Sequence, residues 1–269
     1  MIFSRFSTRY KHLAACVLAI SMLGCASHGA LDVEKESVTE SVEKQDLQKR
    51  AAIRMQLAVG YYQQGQHKVA LEEIRQALAI SPELLDAYAL RALIFMDMGE
   101  KQLAEDNFLR ALKVAPSNVD IANNYGWFLC QNGREKQGLQ YLERAMKDPS
   151  YATPGKAFNN AGLCSLRLRD FNAAEGYFLQ GFRQEPSNPG INANLAKIYF
   201  DRGDYAQARF YIGRVLKMEV MAADVLWLAI KIEKRSGDEA AVAGLSTQLR
   251  RRHPGSKEFL LLQKGAFDE

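Results

Sequence analysis

Residues 65–98 read GQHKVALEEIRQALAISPELLDAYALRALIFMDM, and residues 99–132 read GEKQLAEDNFLRALKVAPSNVDIANNYGWFLCQN. Both stretches open on glycine, and Pro82 and Pro116 fall at the same depth in each. The glycine spacing continues: Gly65, Gly99 and Gly133 are 34 residues apart, as are Gly203 and Gly237. A fixed period of this size means one supersecondary unit stacked repeatedly, and 34 is the period of a helix-turn-helix array. Such an array points to a binding scaffold rather than an enzyme.

The period holds at other positions. Small residues stand seven before each glycine at Ala58, Ala92, Gly126 and Ala196, with Gly162 joining after a two-residue shift. On the second helix the small column reads Ala70, Ala104, Gly138, Ala174, Ala208, and a further one reads Ala77, Ala111, Ala145, Gly181. Between these two lies a large apolar column, Ile74, Phe108, Leu142, Phe178, Ile212. The first helix has its own plug at Tyr61, Phe95, Leu129 and Tyr199, with Ser165 as the exception. Alternating small and large residues lets helices interdigitate at native density.

At these positions the chain resembles the tetratricopeptide repeat. The resemblance covers residues 51–256 in six units, 51–84, 85–118, 119–152, 155–188, 189–222 and 223–256, followed by a C-terminal cap at 257–269. It implies an all-α fold, a right-handed superhelical α-solenoid. Two extra residues after Asp148-Pro149-Ser150-Tyr151 imply a longer turn, and Arg169 stands where the fourth unit should have glycine. The sixth unit departs most, with Ile230, Val242 and Leu249 at small positions and Glu233 and Ser246 at plug positions, as suits a repeat whose outer face meets water. Ser81-Pro82-Glu83 reads as an N-cap with proline at the first helical position, and Asp204 with Gln207 as a capping box.

The sequence holds 35 basic and 31 acidic residues, 48% apolar and 25% charged, ordinary for a globular chain. Arg5, Arg9 and Lys11 belong to the extreme N-terminus, so the remainder is nearly neutral and carries no electrostatic footprint for nucleic acid. Arg250-Arg251-Arg252 falls at a helix C-terminus, where cations favour the dipole.

Residues 1–24 read as a signal: a basic start, then an apolar run from Leu13 to Leu23 too short to span a bilayer. Ser21-Met22-Leu23-Gly24-Cys25 resembles the bacterial lipoprotein signal, with methionine where leucine is usual. That resemblance implies cleavage before Cys25 and lipidation on it, and Ala26 implies the outer membrane in lipoproteins of enteric type. Several acyl chains make a lasting anchor, at roughly 0.8 kcal/mol per buried methylene. Residues 25–50, rich in Glu and Lys, read as a linker that starts as a coil and turns helical toward Leu47.

Cys16 leaves with the signal and Cys25 takes lipid, which leaves Cys130 and Cys164 near the ends of adjacent first helices. An oxidising periplasm favours a disulfide between them; the alternative is two buried small hydrophobes. His67 and His253 are the histidines of the repeats and lie away from this pair, so no metal is expected. No cofactor and no small-molecule substrate are expected either, because no His, Ser or Cys constellation with a base partner appears.

In tetratricopeptide units the first helices line the concave face. Here the ninth residues are Val59, Leu93, Trp127, Leu163 and Lys197, and the twelfth are Tyr62, Met96, Cys130, Leu166 and Phe200. This apolar stripe differs from the asparagine and lysine lining of repeats that clamp an acidic chain terminus. It reads either as a groove for an apolar or amphipathic segment or as core between repeats. Asn123-Asn124 and Asn159-Asn160, continued by Asn194, read as an inter-helix hydrogen-bond ladder, with Asn123 and Asn159 facing the groove.

The segments Asn123-Asn124-Tyr125-Gly126-Trp127-Phe128-Leu129-Cys130 and Asn159-Asn160-Ala161-Gly162-Leu163-Cys164, together with the signal and the six units, resemble the type IV pilus biogenesis lipoproteins of the PilF/PilW type, the pilotins. The resemblance implies an outer-membrane lipoprotein that binds the pilus secretin subunit and promotes its localisation and multimerisation. It implies a non-enzymatic scaffold. The rival reading is a tetratricopeptide lipoprotein of outer-membrane barrel assembly or cell-wall synthase regulation.

Overall fold

A computed structural model describes residues 28–267, with side chains from residue 42 onward. Among the described residues there are thirteen helices and no strand. None of these helices is long and apolar enough to cross a membrane. The chain divides into two compact units between Ala87 and Tyr88.

In the first unit α1 (His28–Gln63) pairs with α2 (His67–Ile80). Ala58, Ala70, Ile74 and Ala77 are buried between them, as the small-large pattern requires. The linker expected to begin as a coil is helical from His28, well upstream of Leu47, and continues unbroken into the first repeat helix. Residues 31–50 contain neither glycine nor proline, and their glutamates, lysines and glutamines are good helix formers.

Ser81-Pro82-Glu83 forms a turn rather than the start of a helix. Ser81 is the C-cap of α2, the Leu84 N–H donates to the Ser81 carbonyl at 3.2 Å, and α3 (Leu85–Asp97) begins beyond it. Proline presets φ for the second place of such a turn.

The second unit contains the rest of α3 and then α4 (Lys101–Val114), α5 (Val119–Gln131), α6 (Glu135–Lys147), α7 (Pro154–Arg167), α8 (Phe171–Gln184), α9 (Pro189–Asp201), α10 (Tyr205–Lys217), α11 (Ala223–Ser236), α12 (Glu239–Arg252) and α13 (Lys257–Lys264). Hairpins α5/α6, α7/α8, α9/α10 and α11/α12 stack in sequence order, and the first helices touch their neighbours, α5 on α7, α7 on α9 and α9 on α11. The cap expected after residue 256 is α13, which packs on α11 and α12.

X-Pro turns join the hairpins here too. Asn118, Tyr151, Asn188 and Ser256 donate to the carbonyls of Ala115, Asp148, Glu185 and His253 at 3.0–3.2 Å. Asn118, Asn188 and Ser256 then cap α5, α9 and α13 through their side chains. Asp204 accepts from the Gln207 N–H at 3.1 Å, so the backbone half of the expected capping box is formed.

The glycine ladder has a single cause. Gly65, Gly99, Gly133, Gly203 and Gly237 all have φ between +71° and +80°, a left-handed conformation that costs glycine nothing. Each permits the next N–H to return to the helix just ended: Gln66 to Tyr61, Glu100 to Phe95, Arg134 to Leu129, Asp204 to Tyr199 and Asp238 to Glu233, at 2.9–3.0 Å. The fourth unit makes the same turn without glycine. Arg169 takes φ +58°, and Asp170 donates to Ser165 at 3.0 Å. Helical periodicity therefore survives the substitution at the expense of local strain.

The plugs Ile74, Phe108, Leu142, Phe178 and Ile212 are at most 1% exposed. Opposite them the small column brings backbones together. A Cβ on Gly138 would lie 2.5 Å from the Gly126 carbonyl oxygen, and one on Gly126 would lie 2.8 Å from that of Gly138. In the sixth unit Ile230 and Leu249 replace small residues and fill the end of the stack, both fully buried beside Leu226 and Trp227. Glu233, at its plug position, is buried and accepts from Arg209 Nε at 3.1 Å.

Candidate functional site

The first helices α5, α7 and α9 carry the site in the second unit. Their spacing is fixed by the amides: Asn160 Nδ2 donates to Asn123 Oδ1 at 3.0 Å, and Asn194 Nδ2 donates to Asn159 Oδ1 at 2.9 Å. The ladder thus forms, with the second asparagine of each repeat reaching back to the first asparagine of the previous one. Asn123 also donates to Asn124 Oδ1 at 3.2 Å, which in turn accepts from Lys156 Nζ at 3.2 Å.

Asn123 is 0% exposed, so it does not face the groove as expected; both ends of its amide are spent inside the ladder. Asn159 is half-buried. One turn further on, Trp127 and Leu163 are also half-buried. Trp127 rests on the buried cluster of Cys130, Leu142, Ala161 and Cys164, while Leu163 and Leu166 rest on the larger cluster around Phe178 and Leu195. Each therefore has one side in the core and the other outside it, which joins the two readings of the stripe. Leu93 and Met96 on α3 are half-buried as well. In the first unit, Val59 is 41% exposed, and half-buried Tyr62 stacks loosely on His67 at 5.9 Å between ring centres.

Cys130 and Cys164 stand at disulfide distance, both fully buried, with Cα atoms 5.5 Å apart. Cys25 and the signal at 1–24 lie outside the described residues.

Ionic staples hold successive repeats in register. The Tyr125 hydroxyl donates to Glu105 Oε1 at 2.8 Å, and Arg134 Nη1 meets the same oxygen at 2.5 Å. Burial pushes the Glu105 carboxyl up, but the Arg134 and Tyr125 hydrogen bonds outweigh it and leave the group below the ordinary glutamate value. Tyr125 is pushed up, by burial first and then by Glu105. The same trio recurs two repeats later: Tyr199 donates to Glu175 at 2.7 Å beside Arg202, with the carboxyl again lowered on balance. Tyr177 donates to Glu143 at 2.8 Å, and burial followed by that carboxylate pushes its phenol up to about 12. These bonds run from a second helix to a neighbouring repeat, so they stiffen the surface on which Trp127 and Leu163 sit.

Beyond Leu166 the surface changes character. Two hollows flank α9, and Asn194 and Lys197 belong to both. One, of about 500 Å³, has Leu166, Phe171 and Ile198 in its lining; the other, of about 390 Å³, has Trp227, Leu228 and Lys231 from α11 and Lys257 from α13. Reading the sixth unit only as a degenerate end cap hid the second hollow. The repeat register does mark it, because Trp227 and Lys231 fall at the fifth and ninth places, the groove positions of a first helix.

Comparison with known proteins agrees with this architecture. The tetratricopeptide-repeat family model matches residues 89–152 and 160–233. The chain is 30% identical over 243 residues to the type IV pilus assembly protein PilF of Pseudomonas aeruginosa, covering 90% of this chain and 94% of that one. The crystal structure of PilW, a widely conserved type IV pilus biogenesis factor, superposes with a TM-score of 0.71 at 32% identity, over 79% of this chain and 98% of that one. A solved structure of Pseudomonas aeruginosa PilF gives a TM-score of 0.72 at 30% identity, over 82% of this chain and 99% of the other.

Proposed function

We propose, for a chain that belongs to the tetratricopeptide-repeat family and within it to the PilF/PilW type IV pilus biogenesis proteins, that it is an outer-membrane lipoprotein scaffold. It binds the pilus secretin and promotes that subunit's localisation and multimerisation. The observation carrying this reading is the half-exposed apolar row on adjacent first helices, Leu93, Trp127, Leu163 and Leu166, within a chain matching PilF nearly end to end. An apolar row braced by amide and ionic staples suits capture of an apolar or amphipathic segment.

The mechanism is tethered capture. Lipid on Cys25 fixes the protein at the membrane and raises its effective concentration for a secretin subunit at the same surface. The part of helix α1 ahead of the first repeat, residues 28–50, then acts as an arm rather than a loose coil, spanning about 35 Å. The groove covers the subunit's apolar segment until oligomerisation buries it. In the periplasm Cys130 and Cys164 form a disulfide that locks α5 to α7 directly beneath Trp127. Catalysis plays no part in such a role.

Replacing Leu93 and Trp127 by aspartate places charge on the row. Secretin co-purification should be lost while the far-ultraviolet helical spectrum is kept. Retained co-purification from a variant with an unchanged spectrum removes the groove.

A further inference from the structure

We infer that the outer face of α1 is a self-association surface, on which a second copy of this chain lays its own α1 antiparallel to the first. This pairing involves α1 alone, independently of the secretin reading, and its test contains no pilus component.

The face is defined by what covers it elsewhere. From α5 onward, each first helix packs against the second helix of the preceding repeat. Gly181 of α8 faces Ile191, and Glu105 of α4 takes the Tyr125 hydroxyl. The third and seventh places of a unit are buried in this way: Ile121 and Tyr125 in α5, Ile191 and Leu195 in α9, Val225 and Ala229 in α11. In the first unit the same places hold Ile53 and Leu57, which are 56% and 42% exposed because, among the described residues, α1 has no repeat before it. Val42, 59% exposed, lies three turns earlier on the same side. The buried Ala51, Met55 and Ala58 occupy the opposite side, toward α2.

The sequence of that side indicates what covers it. Val42, Asp46, Lys49, Ile53 and Leu57 follow one another at steps of 4, 3, 4 and 4, so they share one helix face, and a further step of 4 backward reaches Val38. The order is apolar, apolar, acid, base, apolar, apolar, which is its own complement when read from the other end. Turned end over end about the midpoint between Leu47 and Gln48, the row sets Val42 opposite the partner's Ile53, Asp46 opposite the partner's Lys49 and Val38 opposite the partner's Leu57. A two-fold interface makes each of these contacts twice. Parallel pairing in register would instead set Asp46 against Asp46 and Lys49 against Lys49, and polar residues within an apolar seam fix orientation and register.

The flanks agree. Residues 28–46 hold six acids against two lysines, whereas residues 47–57 hold Lys49, Arg50 and Arg54 and no acid. Antiparallel pairing lays the acidic stretch of one copy along the basic stretch of the other, with Glu43 within side-chain reach of the partner's Arg50. Arg50, Ile53, Arg54, Leu57 and Ile80 line a hollow of about 530 Å³, so the incoming helix meets a concave wall. The arm of each copy thus takes the place that the preceding second helix takes in later repeats.

The test is sedimentation equilibrium of the purified full-length chain in density-matched detergent, with micelles in excess over protein. At tens of micromolar the mass should be that of two copies. Ile53→Asp should give the mass of one copy with an unchanged helical spectrum, because this side chain stands clear of the repeat core. Lys49→Asp, which sets carboxylate against carboxylate twice in each dimer, should raise the dissociation constant roughly tenfold. Adding Asp46→Lys to it should restore the parental value, because the exchanged charges meet in the same geometry. A one-copy mass for the parent at that concentration overturns the inference and leaves the face to a helix of another protein. A two-copy mass for Ile53→Asp, an unchanged constant for Lys49→Asp, or a double variant as weak as the single one overturns it equally.

Discussion

Replacing Cys130 and Cys164 by alanine should cost the protein about 4 kcal/mol. The pair is separated by 34 residues, and the loop-closure entropy released to the unfolded chain by opening a ring of that size comes to about 4 kcal/mol at 25 °C. The cost falls on one place. A bridge between them would tie α5 to α7 and so couple the third and fourth repeats, and a repeat array can unfold unit by unit where coupling is weak. Trp127 rests on this pair and reports it, whereas Trp227 lies in the last hairpin. Urea unfolding followed by Trp127 fluorescence in a Trp227→Phe background is therefore the assay. With an m-value of about 2–3 kcal/mol/M, the midpoint should fall by about 1.5–2 M on reduction, and by a similar amount in the double alanine variant. A thiol titration of the unfolded, unreduced protein should find neither Cys130 nor Cys164 free. Coincident midpoints for oxidised and reduced protein would refute the reasoning, because a closed ring of this length cannot be energetically silent in the unfolded state.

Three further outcomes follow from the packing. Arg169→Gly should raise stability by about 0.5 kcal/mol, since a left-handed non-glycine costs about 1–2 kcal/mol and glycine returns part of that as unfolded-state entropy; thermal unfolding measures it, and a loss of stability would refute the strain at φ +58°. Gly138→Ala should cost about 1–3 kcal/mol by overpacking, because its methyl would meet the Gly126 carbonyl oxygen at 2.5 Å. Glu105 and Glu175 have folded values below the unfolded one, so their contribution is present above the unfolded glutamate value of about 4.3 and is lost as pH falls through the folded value. A Glu105→Gln, Glu175→Gln variant should thus show a flatter decline in urea midpoint between about pH 5 and pH 3 than the parent, and an unchanged slope would remove these staples from the acid response.

Much of the architecture was legible because each repeat must solve the same steric problem. The glycines mark the left-handed turns, and the alanine and glycine columns mark where helix axes approach. The asparagine pairs stood out as an inter-helix ladder because amides are poor helix residues that need a reason. What a linear pattern does not fix is rotation about the helix axis by a fraction of a turn. That is why Asn123, expected on the groove, is buried while Trp127, one turn later, is half-exposed. Ser81-Pro82 was misread because serine followed by proline suits both a helix start and a turn, and only the backbone bond from Leu84 decides between them. The reach of α1 was hidden because its polar first half has no continuous apolar stripe, and a helix without one reads as coil. The hollow around Trp227 was illegible for a different reason: α13, outside the repeat register, supplies part of its wall.

A photo-crosslinking residue at position 127, introduced in living cells that assemble pili, tests the central claim most directly. A crosslink should form from this position to the secretin subunit and be lost when Leu93 is replaced by aspartate. A crosslinker at exposed Phe210, on the second helix of the fifth repeat, should give none. Efficient crosslinking to the secretin from position 210 but not from 127 would contradict the account.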